Sequence, residues 1–413
     1  MGVGRSHNPD VRQTGRLDSQ AVLLLSVQTL FAIAAALSGT FVPVYLWKAS
    51  QSYMLIGIYS LIGYVVGGIT FWLAGKWVKE HNKMNSLRLG IMLSGVFYFL
   101  VLLFGQQATK YYVPLGILNG LGQGFYWLAY NVVYFEITEP GNRDKYNGYA
   151  GLTGAVASMV APWVSGLLIT WYGGSRGYSF IFTISLVVFG ICAVFSFWLK
   201  KRKAGGTYNW LHTYEQLKES PLWRRLFLAI AAQGVREGVF MFLIGLTVYI
   251  ATKEESKLGN YALITSLVAL ISNWYVGSKL KPERRNESML FGALMISLFI
   301  LPLLWKVNYA TMLVLGIGTA FFYPLYIIPM TSRVFDMIGM SEQSAREREE
   351  YIIMRELALT AGRTVGVAAY LLVLPAYHFS TQAVVWLLFG VGIVPIAAWL
   401  LMSPLLERRV APH

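Results

Sequence analysis

The chain has 413 residues, 56% of them hydrophobic and only 13% charged. Soluble globular chains carry roughly 25% charged residues, so this deficit excludes a single soluble core and requires many segments that face lipid or one another. The formal net charge of +14 fits basic loops on one membrane face and does not require nucleic acid as a partner.

Stretches free of Asp, Glu, Lys and Arg fall at residues 19–47, 49–75, 89–109, 111–135, 146–175, 177–199, 258–278, 307–332 and 364–406. Each is at least as long as the roughly 20 residues a helix needs to cross a bilayer. Together with 226–252 and 288–305 they predict twelve helices, over 20–47, 53–75, 88–105, 112–137, 147–172, 177–199, 225–252, 258–277, 288–305, 309–334, 351–374 and 381–402. The last two come from one long run divided at Pro375-Ala376-Tyr377-His378. The first apolar run is too long for a signal-peptide core and reads as a retained helix. A β-barrel would show alternating segments of about ten residues, and the sequence has none.

The loops set the orientation. Residues 76–88 carry Lys76, Lys79, Lys83 and Arg88, residues 200–225 carry seven basic residues, and 278–287 carry Lys279, Lys281, Arg284 and Arg285. The alternate loops hold one or two each or none. Basic loops stay in the cytoplasm, which places both termini there, in a multi-pass protein of the cell membrane, expected to be a bacterial inner membrane.

Residues 200–224 divide the chain into 1–199 and 225–413. Within this linker Trp210, Leu211, Tyr214 and Leu217 recur at helical spacing, which predicts a short amphipathic helix on the membrane surface. The two halves repeat. At an offset of 202, Gly75, Lys79, Ser86 and Gly90 meet Gly277, Lys281, Ser288 and Gly292. At an offset of 196, Gly122, Phe125 and Tyr130 meet Gly318, Phe321 and Tyr326. The fold expected is an all-α membrane protein, twelve transmembrane helices in two six-helix bundles related by pseudo-twofold symmetry, with a site between them.

The loop after helix 2, Leu73-Ala74-Gly75-Lys76-Trp77-Val78-Lys79, resembles the glycine-and-basic loop signature of the major facilitator superfamily, with Gly75 where that signature has Asp. In helix 5, Gly148, Ala157, Ala161-Pro162 and Ser165-Gly166 are similar to the small-residue and proline spacing of that superfamily's drug:proton antiporters, with Ala or Ser at three of its glycines. The resemblance covers essentially the whole length. It implies gating roles for Gly75, Lys76, Lys79, Gly148, Ala161, Pro162 and Gly166, and helices 7 and 11 beside a central cavity. Small residues and a proline let helix 5 pack closely and bend whatever the family.

Ionisable residues inside a bilayer are costly and mark function. Helix 7 carries Arg236 and Glu237 about eleven residues from one end, roughly 16–18 Å deep. Helix 11 carries Arg355 and Glu356 near its start and Arg363 about halfway across. Adjacent residues point about 100° apart, and Glu356 and Arg363 sit about 10 Å apart along one stripe. Each is therefore expected to seek a partner on another helix or a substrate. Glu237, and secondarily Glu356, are the candidates for proton coupling, since burial and a neighbouring arginine pull a carboxyl in opposite directions. Arg236 and Arg363 are candidates for substrate contact. An aromatic wall with polar groups suits an amphipathic ligand, which adds Gln28, Tyr126, Trp127, Tyr130 and Asn131 from helices 1 and 4, and Phe322 and Tyr326 from helix 10.

There is no phosphate-binding glycine-lysine loop, so ATP is not the expected direct energy source. Cys192 is the only cysteine and no His or Cys cluster has metal spacing, so no cofactor or metal is expected. A membrane-embedded enzyme would need a catalytic dyad or metal cluster at an interface, and a sensor would add a soluble domain. The sequence offers neither. The expectation is a monomeric secondary transporter working by alternating access, with proton-driven export of an amphipathic small molecule. Proton-coupled uptake and flipping of a lipid-linked anionic headgroup are the alternatives.

Overall fold

A computed structural model describes residues 17–138, 143–201, 205–339 and 347–407. The membrane helices are α1 (Ser19–Gly39, continued by Val42–Ser50), α2 (Tyr53–Glu80), α3 (Lys83–Phe104), α4 (Tyr112–Ile137), α5 (Arg143–Tyr172) and α6 (Gly174–Phe197) in the first half. The second half holds α7 (Pro221–Thr252), α8 (Glu255–Lys279), α9 (Arg285–Leu298, continued by Pro302–Trp305), α10 (Tyr309–Ile338), α11 (Arg348–Ala376) and α12 (Thr381–Gly392, continued by Val394–Glu407). No strand occurs among the described residues.

Local chemistry sets the helix ends. The side chains of Asp18, Ser52, Asn82, Ser220 and Ser380 accept hydrogen bonds from backbone N–H groups of the first turns that follow them, satisfying donors that have no partner inside the helix. Asn308 and Thr311 form a reciprocal capping box at the start of α10. Gly173 and Gly174, at φ 69° and 49°, turn the chain from α5 into α6, where a side chain would be strained. Several helices extend about a turn beyond the expected apolar limits, because charged residues at a membrane surface continue a helix whose apolar part is buried.

The repeat is visible as packing. Ser86 Oγ donates to the Phe125 carbonyl at 3.2 Å, and Ser288 Oγ to the Leu325 carbonyl at 3.0 Å. A Cβ on Gly90 would stand 2.4 Å from the Tyr126 nitrogen, and one on Gly292 2.6 Å from the Tyr326 nitrogen. Thus α3 crosses α4 as α9 crosses α10. These contacts pair Tyr126 with Tyr326, an offset of 200 rather than the 196 expected for this helix. Four residues are about one helical turn, so the shifted register preserves the same helix face.

The two halves meet along two seams. In one, α2 packs against α11. In the other, α5 packs against α8. The linker differs from its expected form. Its helix is only His212–Glu219, and the chain before it docks on the bundle. Tyr208 and His212 are buried while Leu211 and Tyr214 are exposed. The Tyr208 hydroxyl donates to the Trp72 carbonyl at 3.1 Å, and Trp210 lies 5.2 Å from Trp72. The expected stripe of Trp210, Leu211, Tyr214 and Leu217 is therefore split between the bundle and the outside.

Candidate functional site

The site begins with glycine. Gly234 and Gly238 on α7 face Gly362 and Gly366 on α11. A Cβ on Gly362 would stand 1.9 Å from the Ala231 carbonyl, one on Gly366 2.2 Å from the Val235 carbonyl, and one on Gly238 2.6 Å from Arg363 Cα. Only glycines allow backbones this close, and the contact fixes Arg363 against α7.

From there Arg363 reaches two carboxylates. Its Nη2 donates to Glu237 Oε1 at 2.7 Å and its Nη1 to Glu356 Oε1 at 2.7 Å. Arg363, Glu237 and Glu356 keep side-chain exposures of only 16%, 24% and 19%, so the pairs are largely desolvated. The Tyr64 ring of α2 lies 5.7 Å from the guanidinium. Arg363 thus has a partner on another helix, as expected, while Glu356 finds its partner on its own helix. A long arginine side chain folded back along its own helix spans two turns.

Arg236 has a different setting. It points another way from α7, is 7% exposed, and stacks 4.1 Å over Phe240 and 5.8 Å from Tyr323. Its Nε and Nη2 have no hydrogen-bond partner, and among the described residues no carboxylate pairs with it. It borders a cavity of about 390 Å³ between α7, α8 and α10, together with Gln233, Glu237, Tyr261, Thr319, Tyr323 and Tyr326. The hydroxyls of Thr319 and Tyr326 also lack partners.

The other expected ligand residues separate. Tyr326 borders the cavity. Phe322 does not; it stacks with Phe291 and Phe299 of α9 at 5.7 and 5.6 Å. Tyr323, one residue on and about 100° round the helix, takes the place expected of it. In the first half, Tyr126 is fully buried and stacked on Phe31 at 3.4 Å. The Tyr130 hydroxyl donates to Gln28 Oε1 at 2.8 Å, joining α4 to α1. Only Trp127, 39% exposed and donating to Gln123 Oε1 at 2.9 Å, is open. Asn131 is half-buried. None of Gln28, Tyr126, Trp127, Tyr130 and Asn131 borders the α7–α8–α10 cavity. Glu136 of α4 pairs with buried Lys83.

Contacts that bind the halves lie at both ends. On the side that carries the linker, Lys79 pairs with Glu350 at 2.5 Å, the side chains only 8% and 2% exposed. The Asn209 backbone N–H also donates to Glu350 Oε1 at 3.3 Å. A Cβ on Gly75 would stand 2.6 Å from Ile353 and 2.7 Å from Tyr208, so an aspartate here would displace the linker. Lys76 is exposed and near Glu80 at 4.0 Å, outside this lock. On the far side, Lys48 pairs with Glu255 at 2.7 Å and the Tyr178 hydroxyl donates to the same oxygen at 3.0 Å. The sequence reading missed this pair, whose signal was the lone charge Lys48 in one sparse loop and the carboxylates Glu254 and Glu255 in another. In α5, Ala161 is buried, and Pro162 and Gly166 touch α8: a Cβ on Gly166 would stand 2.6 Å from the Glu255 carbonyl and one on Gly259 2.9 Å from the Pro162 carbonyl. Gly148 does not fit its expected packing role, since among the described residues a Cβ there would meet nothing within 4 Å.

A family profile described as Major Facilitator Superfamily matches residues 24–345. A Bacillus subtilis protein carrying the name "Uncharacterized protein YqgE" is 38% identical over 352 residues, 85% of this chain and 82% of its own length. A Geobacillus stearothermophilus protein, "Uncharacterized protein in sodM 3'region", is 37% identical over 198 residues, 48% of this chain and 92% of its own length. Among solved structures, a bacterial homologue of the iron transporter ferroportin in an inward-facing state overlays with a TM-score of 0.70 at 15% identity, covering 94% of this chain and 99% of that one. The same kind of homologue in an outward-facing state with soaked iron gives 0.65 at 14% identity, again covering 94% and 99%.

Proposed function

The chain belongs to the Major Facilitator Superfamily, and we propose that this secondary transporter is coupled to protons through Glu237 and carries an amphipathic small molecule by alternating access. The observation that carries this reading is the position of Glu237. One oxygen holds Arg363, while the residue borders the cavity beside Gln233 and Arg236. A proton on Glu237 removes half of the negative charge that neutralises Arg363 and leaves that arginine to Glu356. The α7–α11 crossing, built of glycine backbones, is thereby tied to the charge state of one carboxyl.

The linker face, rich in Lys and Arg, is assigned to the cytoplasm, with both termini on that side and the protein acting as a monomer in the cell membrane. The resemblance of α5 to drug:proton antiporters implies export, and the Pro162 and Gly166 contacts with α8 support the close packing of α5 that goes with that resemblance. Uptake with protons uses the same carboxyl. The two differ in sign: in antiport, solute and proton exclude one another, and in symport they bind together. The ferroportin likeness carries the fold alone, and among the described residues no three His, Cys, Asp or Glu side chains come together as a metal site.

The test is reconstitution of the full chain in liposomes with naphthalene-based acids, alcohols and amines under an imposed pH gradient. Glu237→Gln keeps the shape and removes the titration. It is expected to abolish gradient-driven movement while leaving solute exchange partly intact. Gradient-driven transport at the wild-type rate in this variant would remove Glu237 from the mechanism.

A further inference from the structure

The two buried arginines of the second half are in opposite electrostatic states. Arg363 has two carboxylates at 2.7 Å. Arg236, a single residue before Glu237, has none among the described residues, and two of its three nitrogens lack any hydrogen-bond partner while 93% of the residue is out of contact with solvent. An unpaired buried charge is expensive, and in a membrane helix it costs more than in a soluble core. Its aromatic neighbours Phe240 and Tyr323 offer ring faces, which stabilise a cation only in part. The hydroxyls of Thr319 and Tyr326 on the same cavity wall are also unpartnered. A guanidinium and two hydroxyls, all lacking acceptors, border one cavity of about 390 Å³. A group that supplies only acceptors would satisfy all three.

We propose that Arg236 is the docking point for the acidic head of the transported molecule, a carboxylate or phosphate, held also by Thr319 and Tyr326, with an apolar body lying along Phe240, Ile244 and Leu315. It rests on reading this cavity as the substrate path. A planar fork of donors suits such a head better than an ammonium would.

The site also sets the sign of coupling. The cavity is bordered by Arg236 and Glu237 on α7 and the phenols of Tyr261 on α8 and Tyr323 and Tyr326 on α10, and behind Glu237 stand Arg363 and Glu356 on α11 with Tyr64 on α2. Two arginines against two glutamates sum to zero. A bound anion makes the cluster −1, and a proton on Glu237 restores neutrality. Anion and proton therefore favour each other, so for an acidic solute the two travel in the same direction, the uptake alternative rather than the export that the α5 resemblance implies.

The experiment uses the full chain in phosphatidylcholine nanodiscs. The water-soluble probes are 2-naphthoate and 1-naphthyl phosphate, compared with 2-naphthol and 1-naphthylmethylamine, and a second set of discs contains phosphatidic acid as the lipid arm. The naphthyl anions, or phosphatidic acid, are expected to bind and raise the melting temperature, more strongly as pH falls. Stabilisation by phosphatidic acid alone assigns the head to a lipid. Arg236→Gln is expected to weaken anion binding by about 10- to 100-fold, with partial recovery in Arg236→Lys. The same variant should melt higher than wild type without ligand, because it removes an unpaired charge. A merely structural arginine would melt lower. Equal binding of alcohol and amine, no binding by any anion, or unaltered affinity in Arg236→Gln would overturn the proposal. Glu237→Gln should bind the naphthyl anions at all pH values as tightly as wild type does at low pH. If instead Glu237→Gln still shows pH-driven transport, the coupling reading fails while the Arg236 binding result stands.

Discussion

The two seams that join the halves are built on the same principle and finished differently. Along α2 and α11 contact runs the full length. The Tyr370 hydroxyl donates to the Tyr53 carbonyl at 2.7 Å, Gly57 faces Tyr370, Gly68 faces Thr360 and Gly75 faces Ile353, and Lys79–Glu350 closes the linker side. Along α5 and α8 contact starts at Gly166 against Glu255, passes Pro162 against Gly259, and ends where Ser266 Oγ donates to the Ser158 carbonyl at 3.2 Å. Beyond that point α8 is mostly exposed. From 271 to 279 only Ser272 and Val276 of α8 are buried, whereas all of 350–354 in α11 are. Ala269 and Asn273, past the last α5 contact, border the cavity, so the cavity extends along the stretch that α5 leaves open. The difference teaches that the halves are not joined evenly: one seam is strapped by the linker, and the other leaves part of α8 exposed.

The largest effect is expected at the strapped end. Lys79→Ala leaves Glu350 buried without its cation, a loss of about 3–5 kcal/mol that should lower the melting temperature and free the linker to proteolysis. A melting temperature equal to wild type would show that the strap does not depend on this pair. Next come glycines on one helix. Gly166→Leu forces a side chain into the Glu255 backbone and should cost about 1–3 kcal/mol, while Gly151→Leu, where a Cβ meets nothing within 4 Å, should change stability by less than about 0.5 kcal/mol. Similar melting shifts for the two would mean that α5 is packed along its whole length. On the far side, Lys48 is 35% exposed and Tyr178 continues to hold Glu255, so Lys48→Ala should cost under about 1 kcal/mol. A loss as large as that of Lys79→Ala would equalise the two ends.

The smallest effect is a pH dependence of the strap. Burial holds the His212 imidazole below its ordinary value of 6.5, against the upward pull of Glu347, Glu350 and Glu215. The docked state therefore favours neutral histidine. Docking is complete above about 6.5 and weakens as pH falls below it toward the lower docked value. Amide exchange in residues 205–219 should rise modestly under acid conditions, and His212→Gln should flatten that rise. Exchange that falls on acidification would reverse the sign assigned to His212.

Much of the candidate site was legible because charge inside a membrane is rare. Glu237, Arg363 and Glu356 are conspicuous on apolar helices, and the structure brings all three within 2.7 Å contacts. The aromatic wall was less legible. Tyr126 and Tyr130 have the composition of a ligand surface, yet their rings serve to join α4 to α1, because an aromatic ring packs on a neighbouring helix as readily as on a solute. Phe322 and Tyr323 were not separable by residue type, and only the facing of α10 decided that Tyr323 borders the cavity. Gly148 and Gly166 belong to the same small-residue pattern, and only one of them meets a neighbour.

By itself the sequence determined the twelve spans, the division into two repeating halves and the depth of the ionisable residues, since these follow from hydrophobic length, loop charge and residue spacing along a single chain. Tertiary structure alone decided which arginine is neutralised. Arg236 and Arg363 lie at similar depth and each has a glutamate near it in sequence. A close α7–α11 crossing, allowed by four glycines, delivers Glu237 to Arg363, and the 100° turn between adjacent helical residues leaves Arg236 facing the cavity without an ion-pair partner among the described residues.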